Sequence, residues 1–575
     1  MADVYVPPFD HAYLLKTPFY MPGDGDDRWA ISLSNNDATL MAAALGVIIT
    51  ISSFLLWNLI RFLGILIAGE GKLSRHAELI AILNSNEPWF AFKELLYFTV
   101  RSFRDSNRAP TKADDDTADP KTKLVRTATK TNAESRDDFW YGLVFCLLAF
   151  AALSGGITIG VMAPSLAEIG TVAPARPSIV FYPLIPDPSD PAEILQDSGL
   201  RAPAMLRALG GVEESQSSLR SRISVEIDSH EPRGEDRVIS LEYSYGLSGL
   251  EMGLRWGYKL DLAVKGFCIT EYEWESEGEE DSDDMDLYNL WNDSNQQSWV
   301  LLNDNDITHA PSAAFRLNTD PANNATETSN ITYAILIHSA HRSSISEGDD
   351  PWYATEPRDD NAPETTAFNP EFWIRRHRPV LSCWEKSTWS YGGRTVDTVW
   401  DLKHMPDIKI PQVLLMILET TFGGGPMVFR IGNTAGDSAL KSRITSPNGV
   451  IDAGRSSVVD DMQRLIIASF LATRNVFVDA TLFGVPDRYG NMITGPDGRP
   501  REGAGDFVLS SSDIQTFSMT GIVTLMAVFG ALVLVNLVIS ILVFVKRHGG
   551  GSGRWTRFQV SGARQLFRPV YEPEG

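Results

Sequence analysis

The chain has 575 residues and a formal net charge of −23. This length predicts more than one structural unit, because domains usually contain about 100 to 200 residues. The acidic balance excludes nucleic acid as a partner, since phosphate binding needs clustered Lys and Arg. The apolar residues are concentrated in a few long runs, which is typical of a membrane protein with a large polar part.

Three runs without Asp, Glu, Lys or Arg predict membrane-spanning helices: residues 39–60, 139–163 and 517–545. Each exceeds the roughly 20 residues that a helix needs to cross a hydrocarbon core. Buried helices of a soluble core are usually shorter and keep a polar stripe. The first run also follows an acidic leader instead of the basic segment that opens a signal peptide. We therefore expect a multi-pass α-helical membrane protein with three transmembrane helices, whose first partner is the lipid bilayer.

Basic residues beside the spans predict their orientation, because Lys and Arg tend to stay on the cytoplasmic side. The leader contains only Lys16 and Arg28, whereas the connector after the first span contains thirteen basic residues, and the tail opens with Lys546 and Arg547. We expect the N-terminus outside and the C-terminus in the cytoplasm, in the plasma membrane or the secretory pathway. The predicted order is an extracytoplasmic leader at 1–38, transmembrane helix 1 at 39–60, a cytoplasmic connector at 61–138, transmembrane helix 2 at 139–163, an extracytoplasmic α+β domain at 164–516, transmembrane helix 3 at 517–545 and a cytoplasmic basic tail at 546–575.

The connector contains one amphipathic pattern, in which Trp89, Phe92, Leu96, Val100 and Phe103 recur at three- and four-residue steps. Such a helix either packs against the bundle of spans or lies at the cytoplasmic headgroup boundary. Both alternatives remain open. The polar residues that follow, 105–137, lack apolar periodicity and predict a disordered linker.

The extracytoplasmic segment is predicted to be a large mixed α+β domain. β-branched and aromatic residues with partial alternation predict strands at 178–182, 222–227, 237–245, 259–270 and 331–338. Apolar periodicity, with Pro or Ser at the start, predicts helices at 411–420 and 456–473.

The predicted extracytoplasmic location of residues 164–516 implies two kinds of covalent site. Cys268 and Cys383 are the cysteines of the extracytoplasmic segment, and an oxidising compartment permits one disulfide between them. Two unrelated buried thiols are the alternative. Asn292, Asn324 and Asn330 stand in Asn-x-Ser/Thr sequences and are the predicted N-glycosylation sites.

The sequence contains only weak evidence for metal ligands and none for catalytic motifs. The carboxylates of Asp281, Asp283, Asp284 and Asp286 are dense enough for calcium, but the Gly and Glu of a calcium-binding loop are missing. His338, His341 and His377 lack the helical or cysteine-rich context of a zinc site. Nucleophile elbows, P-loops and dinucleotide-binding turns are absent from the sequence. We therefore predict no catalytic residue, no cofactor and no metal, and favour a protein that is not an enzyme.

Three phrases, YSYGLSGLEMGL (243–254), KGFCITEYEW (265–274) and RPVLSCWEKSTWSY (378–391), lie between the second and third predicted spans. With this span arrangement, the chain resembles uncharacterised three-pass membrane proteins of filamentous fungi. The resemblance implies a fungal secretory or plasma-membrane setting and no particular activity.

The sequence thus predicts an integral membrane glycoprotein whose ectodomain binds an extracytoplasmic protein, a glycan or a small-molecule ligand. The alternative is a membrane-tethered accessory protein or enzyme of a fungal biosynthetic pathway.

Overall fold

The computed structural model describes residues 12–21, 28–68, 88–106, 139–140, 142–155, 168–178, 180–184, 187, 189–233, 236–255, 259–276, 285–301, 312–320, 330–339, 342–358, 371–444, 450–480, 490–511 and 513–548. The chain divides into two compact units. Unit 1 comprises Met1–Ser32 and Thr171–Ile514, and unit 2 comprises Leu33–Gly170 and Gln515–Gly575.

Strands and helices alternate irregularly along the chain. The strands are β1 Pro18–Met21, β2 Arg28–Ser34, β3 Glu168–Gly170, β4 Val172–Pro174, β5 Ile223–Arg233, β6 Asp236–Ser248, β7 Leu260–Glu271, β8 Met285–Asn289, β9 Gln297–Leu301, β10 Ser312–Leu317, β11 Asn330–His338, β12 Ser343–Ser344, β13 Thr355–Pro357, β14 Phe372–Ile374, β15 Val380–Tyr391, β16 Arg394–Val396, β17 Val508–Ser510 and β18 Ile514–Ser518. The helices are α1 Asn35–Ala68, α2 Pro88–Ser106, α3 Gly142–Gly155, α4 Pro191–Gly210, α5 Val212–Leu219, α6 Gln412–Phe422, α7 Met427–Ala435, α8 Lys441–Ile444, α9 Val458–Arg474, α10 Val476–Asp479 and α11 Met519–His548. Short 3-10 helices occupy Leu290–Asn292, Val399–His404, Gly436–Ala439 and Ala453–Arg455.

The main feature of unit 1 is an antiparallel sheet in the order β10-β11-β15-β7-β6-β5, with β16 paired to the end of β15. Side chains of β7 alternate strictly between buried and exposed over its first half. Successive side chains of a strand point to opposite sides of the sheet, so the sheet has one covered and one more open side. We call these the inner face and the outer face.

The inner face carries the core of unit 1. Leu262, Val264 and Cys268 of β7 belong to the same buried cluster as residues of α6, α7 and α9. Helix α9 is almost entirely buried and packs against α4, α7 and β6. Its N-terminus is capped by the Ser457 side chain, which accepts a hydrogen bond from the backbone N–H of Val459. Burial of this apolar surface is the main stabilising contribution to the sheet-and-helix layers.

The outer face is covered at one end by the hairpin of β8 and β9. Trp274, Tyr288 and Val300 form a second apolar cluster with Ala334, Leu336 and Val380 of the sheet. By the alternation of β11 and β15, these sheet residues point away from the inner face. The rest of the outer face, on β5, β6, β7 and the later part of β15, lies outside this cluster.

Most of the strands and helices predicted for residues 164–516 are confirmed. Strands β5, β6, β7 and β11 and helices α6 and α9 lie where the patterns predict them. The strand predicted at 178–182 is wrong, because the described residues there form only isolated bridges such as Pro183 to Asn491. Strand β15 was missed, because inward positions such as Glu385 and Ser387 interrupt its apolar alternation.

Among the described residues, two helices are long and apolar enough to cross a membrane, within Asn35–Ile60 and Met519–Leu542. They coincide with the first and third predicted spans. Helix α3 covers only the first part of the second predicted span, and residues 156–167 lie outside the described part of the chain. Helices α6 and α7 are also apolar as a pair, bent by 65°, but their side chains belong to the core of unit 1.

Helix α2 packs within unit 2 by a narrow face. Ala91 and Leu95 form a buried cluster with Trp57 of α1 and with Phe145 and Ala149 of α3. Most of the apolar stripe identified in the sequence is exposed, and its exposed members are Trp89, Leu96, Val100 and Phe103. Phe98 of the same helix is buried.

Helices α1 and α11 are joined by a polar contact inside their apolar stretches. Asn58 donates from Nδ2 to Oδ1 of Asn536 at 2.8 Å. The Asn536 amide in turn donates to the carbonyl oxygens of Leu55 at 3.1 Å and Leu532 at 2.9 Å. Phe62 and Ile539 pack together about one turn further along the pair. This asparagine pair therefore fixes the register of the two helices.

We predict that Asn58→Leu weakens the pairing of α1 and α11 by about 1 kcal/mol, the usual size of an interhelical hydrogen bond in an apolar setting. The measurement is unfolding of the full chain in mixed detergent micelles, with Asn536→Leu completing a double-mutant cycle. Thr50→Leu is the control, because the Thr50 hydroxyl bonds only within its own helix, to Gly46 O. Equal effects of Asn58→Leu and the control Thr50→Leu would contradict the pairing. A coupling energy near zero between Asn58→Leu and Asn536→Leu would also contradict it.

Candidate functional site

Cys268 and Cys383 meet at the centre of the main sheet. Cys268 of β7 and Cys383 of β15 are direct cross-strand partners on the inner face. Their Cα atoms are 4.1 Å apart and their sulfur atoms are bonded as a disulfide. The hydroxyl of Tyr333 lies 4.0 Å from the Cys268 sulfur. The alternative of two separate thiols does not agree with this arrangement. Cys146, the remaining cysteine of the sequence, is buried in α3.

Two of the three predicted glycosylation sites lie among the described residues. Asn292 is exposed in the turn between β8 and β9, at a φ of 57°. Asn330 is the first residue of β11. Asn324 lies outside the described residues. Asn292 has the exposed turn position that an oligosaccharide acceptor needs.

The residues considered as metal ligands from the sequence are only partly described by the structure. Asp281, Asp283, Asp284 and His341 lie outside the described residues, and His338 ends β11. Asp286 of β8 and His377, which the sequence gives no reason to combine, are neighbours in the structure.

A buried carboxyl group lies beneath the sheet on its inner face. Glu385 of β15 accepts a hydrogen bond from the Tyr243 hydroxyl at 2.7 Å. Tyr243, on β6, reaches across β7 at Gly266, where an added Cβ would lie 2.1 Å from the tyrosine ring. The Tyr333 hydroxyl lies 3.3 Å from that of Tyr243. Only glycine at position 266 leaves room for this row of side chains across three strands.

Burial controls the protonation of this cluster. Desolvation raises the pKa of Glu385 to about 7, while hydrogen bonds from Tyr243 and from the backbone N–H of Met427 oppose the shift. Burial also raises the pKa of Tyr243 and of Tyr333 well above the usual value. The adjoining cavity has a volume of about 30 Å³ and is lined in part by Trp389 and Phe422. That volume holds a water molecule or two and no larger ligand, so the cluster serves packing and proton binding.

Two further buried carboxyl groups support helix α9. Asp461 accepts hydrogen bonds from the hydroxyl of Tyr353 at 2.6 Å and from the backbone N–H of Ser442 at 2.8 Å. Asp350 accepts a hydrogen bond from the backbone N–H of Val458, at the start of the helix, at 3.1 Å. Desolvation raises the pKa of both carboxyl groups to about 6. These hydrogen bonds hold separate segments of the chain together, and both carboxyl groups are too buried to contact a ligand.

The open part of the outer face carries two cross-strand rows of side chains. One row runs Ser224, Ser244, Lys265 and Lys386, and the next runs Glu226, Glu242, Phe267 and Trp384. Each row crosses four strands and spans about 14 Å. Phe267 and Trp384 are stacked, with ring centroids 6.4 Å apart and planes 27° from parallel.

An open groove of about 600 Å³ continues this surface over β5, β6 and β7. Its walls include Arg220, Ser224, Ser244 and Lys265. A volume of that size is in the range of small-molecule sites. Its lining of hydroxyl and cationic groups, beside an aromatic pair, forms the candidate binding surface of unit 1.

Alternation alone could have placed Phe267 and Trp384 on the side opposite the two cysteines, since each stands next to one in the sequence. What the sequence does not contain is the register that sets Phe267 opposite Trp384.

A family model described as a domain of unknown function, DUF8406, matches residues 202–509. This match covers more than half of the chain. The chain belongs to the DUF8406 family. Comparison with curated proteins and with solved structures gave no match to this chain. The matched residues begin within α4 and end in β17, so the DUF8406 domain contains the disulfide, the buried Glu385 and the outer face.

We predict that the DUF8406 domain loses stability as pH rises through about 7. A carboxyl group whose pKa is higher in the folded state than in the unfolded state stabilises the fold at low pH. Its contribution to the free energy of unfolding is lost as pH rises through the folded pKa. For Glu385, a rise from 4.5 to about 7 corresponds to about 3 kcal/mol. Unfolding of the full chain should therefore be harder at about pH 5 than at about pH 8.

Glu385→Gln should flatten this pH dependence, because glutamine keeps an acceptor for Tyr243 and does not titrate. Glu242→Gln, at an exposed position of β6, is the matched control. Thermal unfolding at several pH values measures the slope. An unchanged slope in Glu385→Gln would rule out this role for Glu385.

Proposed function

We propose that this DUF8406 protein is a membrane-anchored glycoprotein whose ectodomain binds a glycan chain on the open outer face of the main sheet. The observation that carries the proposal is the stacked pair of Phe267 and Trp384, which lies within rows of hydroxyl and charged side chains. Aromatic faces pack against the C–H faces of sugars, and flanking hydroxyl, carboxylate and amine groups bond the sugar hydroxyls.

The chemistry of this face favours a glycan over a protein partner. The centre of a stable protein interface is depleted of charged residues, particularly lysine and glutamate. Here Lys265 and Lys386 face each other across β7 and β15, and Glu242 lies beside Phe267. A polyhydroxylated ligand can bond to charges of both signs without leaving either unpaired.

The alternative of an enzyme would need a site in which a substrate reaches a reactive group. Glu385 has the shifted pKa of a catalytic acid or base. Its side chain is buried, and the adjoining cavity of about 30 Å³ has no room for a substrate. We therefore favour binding over catalysis.

The proposed topology has three spans, with the N-terminus and the DUF8406 domain outside and the connector and tail in the cytoplasm. The two long apolar helices support membrane association, and the basic connector and tail support the orientation. The cross-strand disulfide agrees with an oxidising compartment. The exposed apolar stripe of α2 is suited to a position against lipid.

We predict that Trp384→Ala lowers glycan affinity about tenfold, which is the loss expected for one stacking contact of about 1.4 kcal/mol. The probes are soluble oligosaccharides of chitin, β-glucan and mannan type, titrated against the full chain in nanodiscs. Phe267→Ala should have a similar effect.

Trp299→Ala is the matched control, because Trp299 is 41% exposed on β9, outside the two rows. Thermal unfolding of each variant checks that the domain remains folded. Failure of every oligosaccharide to bind, or equal binding by Trp384→Ala and the wild type, would refute the glycan proposal.

We predict that protease added to sealed, right-side-out vesicles digests the DUF8406 domain and leaves the connector and tail intact. N-glycosidase should lower the apparent mass of the protein made in a eukaryotic host. Asn292→Gln should remove one part of that shift, because its acceptor lies in an exposed turn. Glu242→Gln alters no acceptor and serves as the control, which should keep the full mass shift. Protection of the domain from protease, together with no mass shift, would reverse the proposed orientation.

A further inference from the structure

We infer that Glu275, Asp286 and His377 form a binding site for a divalent transition-metal cation such as Zn²⁺. The three residues come from the segment after β7, from β8 and from the loop between β14 and β15. Each offers one ligand atom, and the three atoms lie within 4.8 Å of one another. The site is separate from the outer-face rows and does not depend on the glycan proposal.

The three ligand atoms lie close enough together to share one metal ion. Nδ1 of His377 contacts Oε1 of Glu275 and lies 3.9 Å from Oδ1 of Asp286. Ligand atoms around a tetrahedral Zn²⁺, with bonds of about 2.0–2.2 Å, are about 3.4 Å apart. A small adjustment of the His377 and Glu275 side chains around the ion therefore completes three of its four positions.

The donor set selects the class of metal. One imidazole nitrogen with two carboxylate oxygens suits Zn²⁺ and neighbouring first-row ions. Calcium takes six to eight oxygen ligands, which three side chains of this kind do not supply. With three protein ligands, the fourth position is open to water or to another ligand.

The backbone around the site is held in place by other bonds. Glu275 forms a bridge with Tyr288 of β8, and the backbone N–H of Ser276 donates to Leu287 O at 2.9 Å. Arg378 holds the histidine loop by donating to the carbonyl oxygens of Arg376 at 3.0 Å and Pro351 at 3.2 Å. Such supporting contacts orient metal ligands in advance of binding.

Charge and access favour a cation at this point. Asp286 is 1% exposed, and Arg376 donates to one of its oxygens at 2.6 Å. The Glu275 carboxylate, whose side chain is 18% exposed, contacts His377, so a neutral imidazole leaves it without a matching cation among the described residues. A divalent ion supplies the missing charge. The His377 side chain is 48% exposed and gives the ion a path from solvent.

The test is titration of ZnCl₂ into the chelator-treated full chain in nanodiscs by calorimetry. We expect saturable binding of one ion per chain and a higher unfolding temperature in its presence. His377→Ala and Glu275→Gln should each weaken binding by at least about tenfold. His404→Ala should bind as the wild type does, because His404 is exposed on the Val399–His404 helix, away from the site.

Co²⁺ provides a second measurement that does not depend on heat. A visible absorption band should develop on addition of CoCl₂ to the wild type and to His404→Ala, and it should be lost in His377→Ala. Asp286 is left unchanged, because its buried pair with Arg376 supports the fold. If His377→Ala binds Zn²⁺ as tightly as the wild type does, or if the wild type shows no saturable binding, the three residues form only a hydrogen-bonded cluster and the inference is overturned.

Discussion

The buried carboxyl group of Glu385 joins three elements of the DUF8406 domain, since it lies on β15 and accepts hydrogen bonds from β6 and α7. It accepts from Tyr243 of β6, and it receives the backbone N–H of Met427 at the start of α7. Tyr333 of β11 approaches the same cluster. The strands of the sheet and one covering helix therefore share one polar centre inside an apolar core. A buried polar centre with satisfied bonds favours one arrangement of the elements, because each alternative packing leaves the carboxyl group unpaired.

The position of this centre determines how the two faces of the sheet are used. The inner face contains the disulfide, the tyrosine row and the helices, so it has no surface left for a ligand. Among the described residues, the cluster around Trp274 covers one end of the outer face. Function is therefore expected at the open part of the outer face and along its margin, where Asp286 and His377 meet. The same separation of a rigid covered side from an open side is common in domains that bind on a sheet.

Unit 2 shows a related use of polar groups in apolar surroundings. Asn58 and Asn536 bond across the two long helices, where an unpaired amide would be costly in a membrane. Ala91 and Leu95 of α2 pack on Trp57 and α3, and other large residues of the helix, such as Trp89 and Phe103, remain exposed. In both units, a few satisfied polar contacts set the register, and apolar surface supplies most of the stabilisation.

The sequence by itself determined the features that depend on local pattern. Long uncharged runs predicted the two helices within Asn35–Ile60 and Met519–Leu542, because span length follows directly from helix rise. Alternation predicted β5, β6, β7 and β11, and the cysteine count left a single pairing for Cys268.

Only the tertiary structure decided which distant residues meet. Strand β15 was missed, because its inward positions include a glutamate whose partner, Tyr243, is 142 residues away. Asp286 and His377 are about 90 residues apart and were judged in separate groups, since a metal site made from three segments leaves no spacing in the sequence. The apolar stripe of α2 left two placements open, because periodicity shows that a helix has two sides and does not show which one packs; in the structure most of the stripe is exposed. Register, burial of single polar groups and convergence of loops all depend on long-range packing, which local pattern does not encode.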